Sequence, residues 1–266
     1  MANHLIWDID PQIFSFAPVP RWYGLIFALG IVGGFLLMKN IFVREDKDPV
    51  LADKLLVYVF ISMLLGMRLG HCLFYEPATY LAHPLRILKI WEGGYASHGG
   101  FAGLIVGIVL FARRYRDVSL MWLLDRMTMP AMFAAGMIRV ANFFNSEMIG
   151  HPADVPWAIV FKLVDEQPRH PGQLYEAVGF FAIFALALML YLKTPAGKRS
   201  GYLFGLVLIL GFSWRFFCEF FKEDQVGFEA GMALNMGQLL SLPFVAAGIF
   251  VLIRSWRQPR GLPAHR

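Results

Sequence analysis

Residues 119–150 read SLMWLLDRMTMPAMFAAGMIRVANFFNSEMIG, and the choice of fold class turns on them. The first half suits a lipid bilayer, yet Arg139 stands in the second half, followed by Asn142, Asn145 and Glu147. A guanidinium in or near hydrocarbon costs about 2.5–3.5 kcal/mol on insertion scales. That cost persists only where the group has a partner, so the stretch marks both a membrane segment and a candidate site.

The rest of the chain decides for the membrane. Of its 266 residues, 58% are hydrophobic and 16% charged. A soluble domain carries nearer a quarter charged residues. Apolar runs near the ~20 residues needed to cross a bilayer recur along the whole length. The expected fold class is therefore all-α, a polytopic membrane helix bundle of about seven helices. These fall at about 22–42, 53–75, 96–112, 119–143, 173–192, 201–221 and 236–254. One integral domain over 1–266 is expected, since no long polar linker interrupts it, with about 145–172 forming either a small cap on the outer side or an ordered surface loop. The start, MANHLIWDIDPQIFSF, has no basic region followed by a short apolar core, so no cleavable signal is expected. Cys72 and Cys218 fall inside apolar runs and read as buried thiols.

Lys and Arg gather in alternate connections. Residues 39–54, 113–116 and 193–199 and the tail from Arg254 hold 14 of the 24. Cytoplasmic loops collect such residues. The C-terminus is thus expected in the cytoplasm and the N-terminus outside. The net charge of +5 is mostly this topology signal and gives no support to a nucleic-acid partner. With that orientation, Arg68, Arg139 and Arg215 fall in the outer halves of their helices. Tyr23, His98, Gln173, Tyr175, Glu176 and Gln238 open helices at the same side. Asp125 and Arg126, toward the cytoplasmic end, are expected to snorkel to the interface. Arg215 and Glu219 are spaced to pair on one helix face.

His98 heads a helix and is followed by Gly99 and Gly100. A helix N-terminus disfavours a cation, so a neutral, proton-accepting imidazole is expected. The glycines permit close approach of a backbone or a ligand. Arg139 and Arg215 suit an anion, because guanidinium binds phosphate through two parallel hydrogen bonds. Asn142, three residues after Arg139, lies on a neighbouring face where both can meet one polar headgroup, and Asn145 and Glu147 suit glycerol hydroxyls or a helix end. No His or carboxylate set shows metal-ligand spacing, so neither metal nor cofactor is expected.

Seven motifs in order, RWYGL (21–25), GMRLGHCLFY (66–75), WEGGYASHGG (91–100), IRVANFFNSE (138–147), RHPGQLYE (169–176), WRFFCEFFKED (214–224) and NMGQLLSLP (235–243), resemble the bacterial prolipoprotein diacylglyceryl transferase family from about residue 10 to residue 254. The family signature Gly-Arg-x-x-Asn-Phe-x-Asn-Gly-Glu falls on Arg139, Asn142, Asn145 and Glu147. The chain departs from it at Ile138 and Ser146, and has Gly211 where many members carry Tyr.

The resemblance implies transfer of a diacylglyceryl group from phosphatidylglycerol to the lipobox cysteine of a preprolipoprotein signal peptide. A thioether forms and glycerol 1-phosphate leaves, in the bacterial inner membrane at its periplasmic side. It implies His98, Arg139 and Arg215 as catalytic residues. Tyr23, Arg68, Gly99, Asn142, Asn145, Glu147, Gly150, Glu219 and Gln238 would bind substrate with Arg139. Two rival readings are a lipid or anion transporter using the same arginines as a headgroup relay, and an inactive family member.

Overall fold

The computed structural model describes residues 4–14, 20–89, 91, 93–223 and 232–257, with Ser97 described by its backbone alone. The chain is mostly helical: α1 (Trp22–Arg44), α2 (Val50–Phe74), α3 (Pro77–Ala82), α4 (Ser97–Arg114), α5 (Leu120–Phe144), α6 (Gly172–Lys193), α7 (Tyr202–Cys218) and α8 (Met236–Arg257). Three short strands, β1 (Leu5–Trp7), β2 (Ile159–Phe161) and β3 (Pro168–Arg169), form one sheet. Five helices, α1, α2, α6, α7 with its extension to Phe221, and α8, are long and apolar enough to cross a membrane. Leu, Ile, Phe and Val side chains along them are widely exposed, as expected of surface that faces lipid.

All seven stretches read as long helices are helical, with shifted ends. α2 begins at Val50, three residues early, because Pro49 is tolerated at a first turn and the Asp48 carboxylate accepts the Val50 N–H at 2.9 Å. α7 stops at Cys218 and tightens into a 3₁₀ turn over Glu219–Phe221. The connection after α2 carries α3 and a second 3₁₀ turn, Pro84–Leu88, each opened by a proline.

The described residues fall into two compact units, one made of those within 1–37 and 124–257, the other of those within 38–123. In the second unit α2 and α4 cross at glycines. A Cβ on Gly99 would lie 2.1 Å from the Gly66 carbonyl oxygen, and one on Gly103 would lie 2.1 Å from that of Ser62. Lipid offers no hydrophobic drive for helix association, so close backbone approach at small residues supplies it. Arg68 is buried in this unit. It donates to the carbonyls of Arg86 (2.7 Å), Ile87 (3.0 Å), Lys89 (3.0 Å) and Gly93, and lies over the Tyr80 ring.

In the first unit, β1 pairs parallel to β2, which pairs antiparallel to β3. Phe143, Ile159 and Phe161 form its small core, with Trp7, Phe144, Ile149 and Leu174 against it. The segment 145–172 is thus built on a sheet that the N-terminal strand completes.

Asp125 and Arg126 do not snorkel. They are 1% and 4% exposed. The Asp125 carboxylate accepts the N–H groups of Gly201 (2.6 Å) and Phe204 (2.9 Å), so it caps α7 from another helix. Arg126 donates to the Gly197 carbonyl at 3.2 Å and lies over Tyr191. A carboxylate at a helix N-terminus satisfies orphan donors and its dipole, which favours burial over an excursion to water.

Candidate functional site

The last turn of α5 delivers Arg139 and Asn142 on one side, and the chain then leaves the helix through Ser146. Ser146 (φ 53°) and Met148 (φ 57°) take the left-handed conformation. The family signature has glycine at 146, the residue that adopts this conformation without a Cβ penalty. In this chain Ser146 bears the strain, and its buried hydroxyl has no partner among the described residues. The turn folds Glu147 back, so that its N–H reaches the Asn142 carbonyl at 2.9 Å. Its carboxylate accepts from Asn142 Nδ2 (3.2 Å) and Asn145 Nδ2 (3.1 Å), while Asn142 Oδ1 accepts from Arg139 Nη1 at 3.3 Å. The four signature residues therefore form one hydrogen-bonded chain. Tyr23 and Asn145 line an open depression with Pro20, Arg21, Gly24 and Leu25.

Arg139 has a second partner that sequence reasoning assigned no role. Glu176, on the first turn of α6, is fully buried. Its carboxylate oxygens lie 2.8 Å from Arg139 Nε, 2.9 Å from Lys222 Nζ and 3.8 Å from Arg215 Nη1. None of these approaches runs along a hydrogen-bond direction, so charge rather than directed bonding holds the carboxylate. Lys222, 2% exposed, also donates to Glu219 Oε1 at 3.0 Å. Arg215 pairs with the same oxygen at 3.3 Å, the spacing read from the sequence. Three cations, Arg139, Arg215 and Lys222, thus surround two buried carboxylates.

The sequence held a signal for Glu176: a carboxylate opening an apolar helix, with no cation three or four residues away on it, needs a partner from another element. Lys222, which ends an apolar run, is one such partner.

Three further predicted residues have architectural contacts. Gln238 is 3% exposed and shares a reciprocal cap with Asn235 at the start of α8, Gln238 N to Asn235 Oδ1 at 2.9 Å and Asn235 N to Gln238 Oε1 at 3.0 Å. Asn235 Nδ2 donates in turn to Glu219 Oε2 at 3.3 Å. Gly150 donates to the His170 carbonyl at 2.9 Å, and its own carbonyl accepts from Arg169 at 3.2 Å. A Cβ there would lie 2.4 Å from the Phe221 carbonyl oxygen. His98 stands exposed in the first turn of α4, where Gly99 serves the crossing with α2. Arg169 is paired with Asp165 and Glu223; its hydrogen bonds hold the Asp165 carboxyl below its ordinary range, and Asp165, then Glu223, hold the guanidinium above its own. His170 Nδ1 lies 2.9 Å from the Tyr175 hydroxyl, and burial, then His151, lowers its pKa. Among the described residues no group of three His, Cys, Asp or Glu is placed to hold a metal.

Five helices long and apolar enough to cross a membrane define a multi-pass membrane protein, and within one unit it buries two carboxylates among three cations. The chain belongs to the prolipoprotein diacylglyceryl transferase family, whose model matches residues 11–254. It is similar to a phosphatidylglycerol–prolipoprotein diacylglyceryl transferase of Tolumonas auensis, 47% identical over 255 residues, covering 96% of this chain and 98% of that one. Proteins of the same name from Chloroherpeton thalassium (45% identical, 97% and 96% covered) and Porphyromonas gingivalis (43%, 96% and 96%) are similar to it over nearly their whole length.

Proposed function

We propose that this protein transfers the diacylglyceryl group of phosphatidylglycerol to the lipobox cysteine of preprolipoproteins in the bacterial inner membrane. The thiol sulfur bonds to the glyceryl carbon. The carbon–oxygen bond breaks with its electron pair going to the phosphate, and glycerol 1-phosphate departs. The thiol proton passes to His98, whose exposed imidazole has no partner among the described residues. The nucleophile comes from the substrate, which leaves the buried Cys72 and Cys218 no role in the chemistry.

The observation that carries the reading is the state of Arg139. Glu176 takes its Nε and Asn142 takes one Nη1 hydrogen, while Nη2 makes no hydrogen bond among the described residues. The outer edge of the fork is thereby held in place and left open, as two parallel bonds to a phosphate require. Arg215, a third exposed, supplies the second guanidinium, and positioned cations stabilise charge growing on the leaving phosphate. Tyr23, Asn142, Asn145, Glu147 and Gly150 bind the glycerol headgroup and shape its pocket. Glu219 and Gln238 support it through the contacts described above, and Arg68 and Gly99 bind substrate in the same reading.

In the same reading α4 and α5 also span the membrane, giving seven spans and one domain over 1–266. The N-terminus lies in the periplasm, the C-terminus in the cytoplasm, and 145–172 caps the site from the periplasm. The test is reconstitution with phosphatidylglycerol and a peptide carrying a lipobox cysteine. Thioether formation and glycerol 1-phosphate release should both require that cysteine. Headgroup release with a serine peptide, or lipid movement without cleavage, would overturn the proposal.

A further inference from the structure

Glu176 bridges both arginines and Lys222, touches no open surface, and is fully buried. An isolated pair would serve to neutralise Arg139, but the cluster is not neutral. Among the described residues, its three cations pair with the carboxylates of Glu176 and Glu219 and no others, an excess of one cation. Glu147 is exposed and reaches Arg139 only through Asn142, so it lies outside the buried cluster and is common to the parent and every variant below.

We propose that Glu176 is the positioning residue of this centre, and that the single excess cation sets the charge of the ligand it holds to one. This rests on the reading above and extends it to substrate against product. The phosphodiester of the lipid carries one negative charge and balances the cluster. The phosphate monoester that leaves carries up to two at neutral pH, its second ionisation lying near pH 6. The centre is then over-compensated, and the product is held less well than a more cationic site would hold it. Glu176 thereby does two things: it fixes Arg139 by Nε so that the outer edge faces the ligand, and it subtracts one charge.

Both parts are open to measurement in the purified full chain. Glu176→Gln raises the excess from one to two. Lys222→Met lowers it to none. The double variant restores it to one, with Arg139 and Arg215 against Glu219. At an effective dielectric of about 20, one unit charge within several ångströms of an anion changes its affinity by about tenfold or more. The probe is glycerol 1-phosphate, bound to the protein in neutral detergent and followed by calorimetry. Glu176→Gln should bind it about tenfold more tightly, Lys222→Met about tenfold more weakly, and the double variant within about threefold of the parent. Both single shifts in one direction, or a double variant weaker than either, would overturn the charge assignment.

The double variant exchanges a buried pair for neutral side chains of similar shape, which such sites tolerate. It decides the matter by itself where a single variant fails to fold: parental affinity supports the proposal, a tenfold change sinks it. Glu176→Asp keeps the charge and shortens the reach. It should leave glycerol 1-phosphate affinity within about threefold while turnover with the lipid falls about tenfold or more. Unchanged turnover would refute the positioning role. Absence of transfer in the parent would instead strike the proposed function and leave the affinity order still to judge this inference.

Discussion

Arg139→Lys keeps the charge and removes the fork. In the parent, Nε faces Glu176 at 2.8 Å and Nη1 reaches Asn142 Oδ1 at 3.3 Å, which leaves the Nη edge for a ligand. Lysine offers three donors on one nitrogen. Placed against Glu176 it cannot also span two phosphate oxygens, and placed on the phosphate it deserts a buried carboxylate. Each charge-assisted hydrogen bond lost is worth about 1.5–3 kcal/mol. Removing one donor aimed at transition-state charge costs roughly 10²–10³-fold in rate in other systems. Loss of one bond plus misaligned charge therefore predicts a fall in kcat/KM of about 10²–10³-fold, felt in kcat as well as lipid affinity. The assay is thioether formation on a lipobox peptide in vesicles over a range of phosphatidylglycerol fractions. Arg113→Lys, at an exposed position near the end of α4, is the matched control and should stay within twofold. Arg126 does not serve as one, because its guanidinium is buried on the Gly197 carbonyl and Tyr191. Near-parental turnover in Arg139→Lys, with unchanged lipid dependence, would refute the fork and shift the phosphate to Arg215.

Four further outcomes are expected. His98→Gln should lower turnover by about 10²–10⁴-fold with lipid binding retained, as steady-state kinetics and a lipid-binding titration will show. Ser146→Gly relieves a left-handed φ of 53° and removes a buried hydroxyl without a partner, so melting in detergent should rise by a few degrees with activity kept; a fall would mean the serine is bonded. Gly103→Ala drives a Cβ to 2.1 Å from the Ser62 carbonyl and should destabilise by about 1–3 kcal/mol in thermal or denaturant unfolding. The lowered pKa of His170 means that the unfolded chain binds its proton first as pH falls. Stability is then full above about pH 6.5 and declines below it, and His170→Gln should flatten that part of the profile.

Helix existence was legible because lipid demands it: apolar runs of about twenty residues have one economical backbone solution. Helix ends were less so, since Val50 depends on the side chain of Asp48 and the end of α7 on a 3₁₀ turn. The small sheet was missed because its strands are two or three residues long, too short for an alternating pattern. Arg139, Asn142, Asn145 and Glu147 stood out as polar residues close in sequence, and the structure joins them by hydrogen bonds. Their deeper partner could not be found that way, because Glu176 comes from another helix. The snorkelling expected of Asp125 and Arg126 failed for the same reason: the groups that satisfy them, Gly197, Gly201 and Phe204, are some 70 residues distant along the chain.

The arrangement around Glu176 also bears on why a membrane protein would bury charge at all. Breaking such a cluster by removing one member costs about 3–5 kcal/mol, whereas replacing it by apolar groups is often neutral or stabilising. Stability alone therefore does not account for five charged groups packed together. A cluster that must receive an anion has a different requirement, since guanidinium groups left without partners would neither hold one orientation nor stay out of each other's way. Two carboxylates separate three cations here, and each cation touches at least one of them. The carboxylates reduce the field that an incoming phosphate meets, yet they fix the directions from which it can be met. That exchange of raw affinity for orientation is what differential stabilisation of a transition state requires.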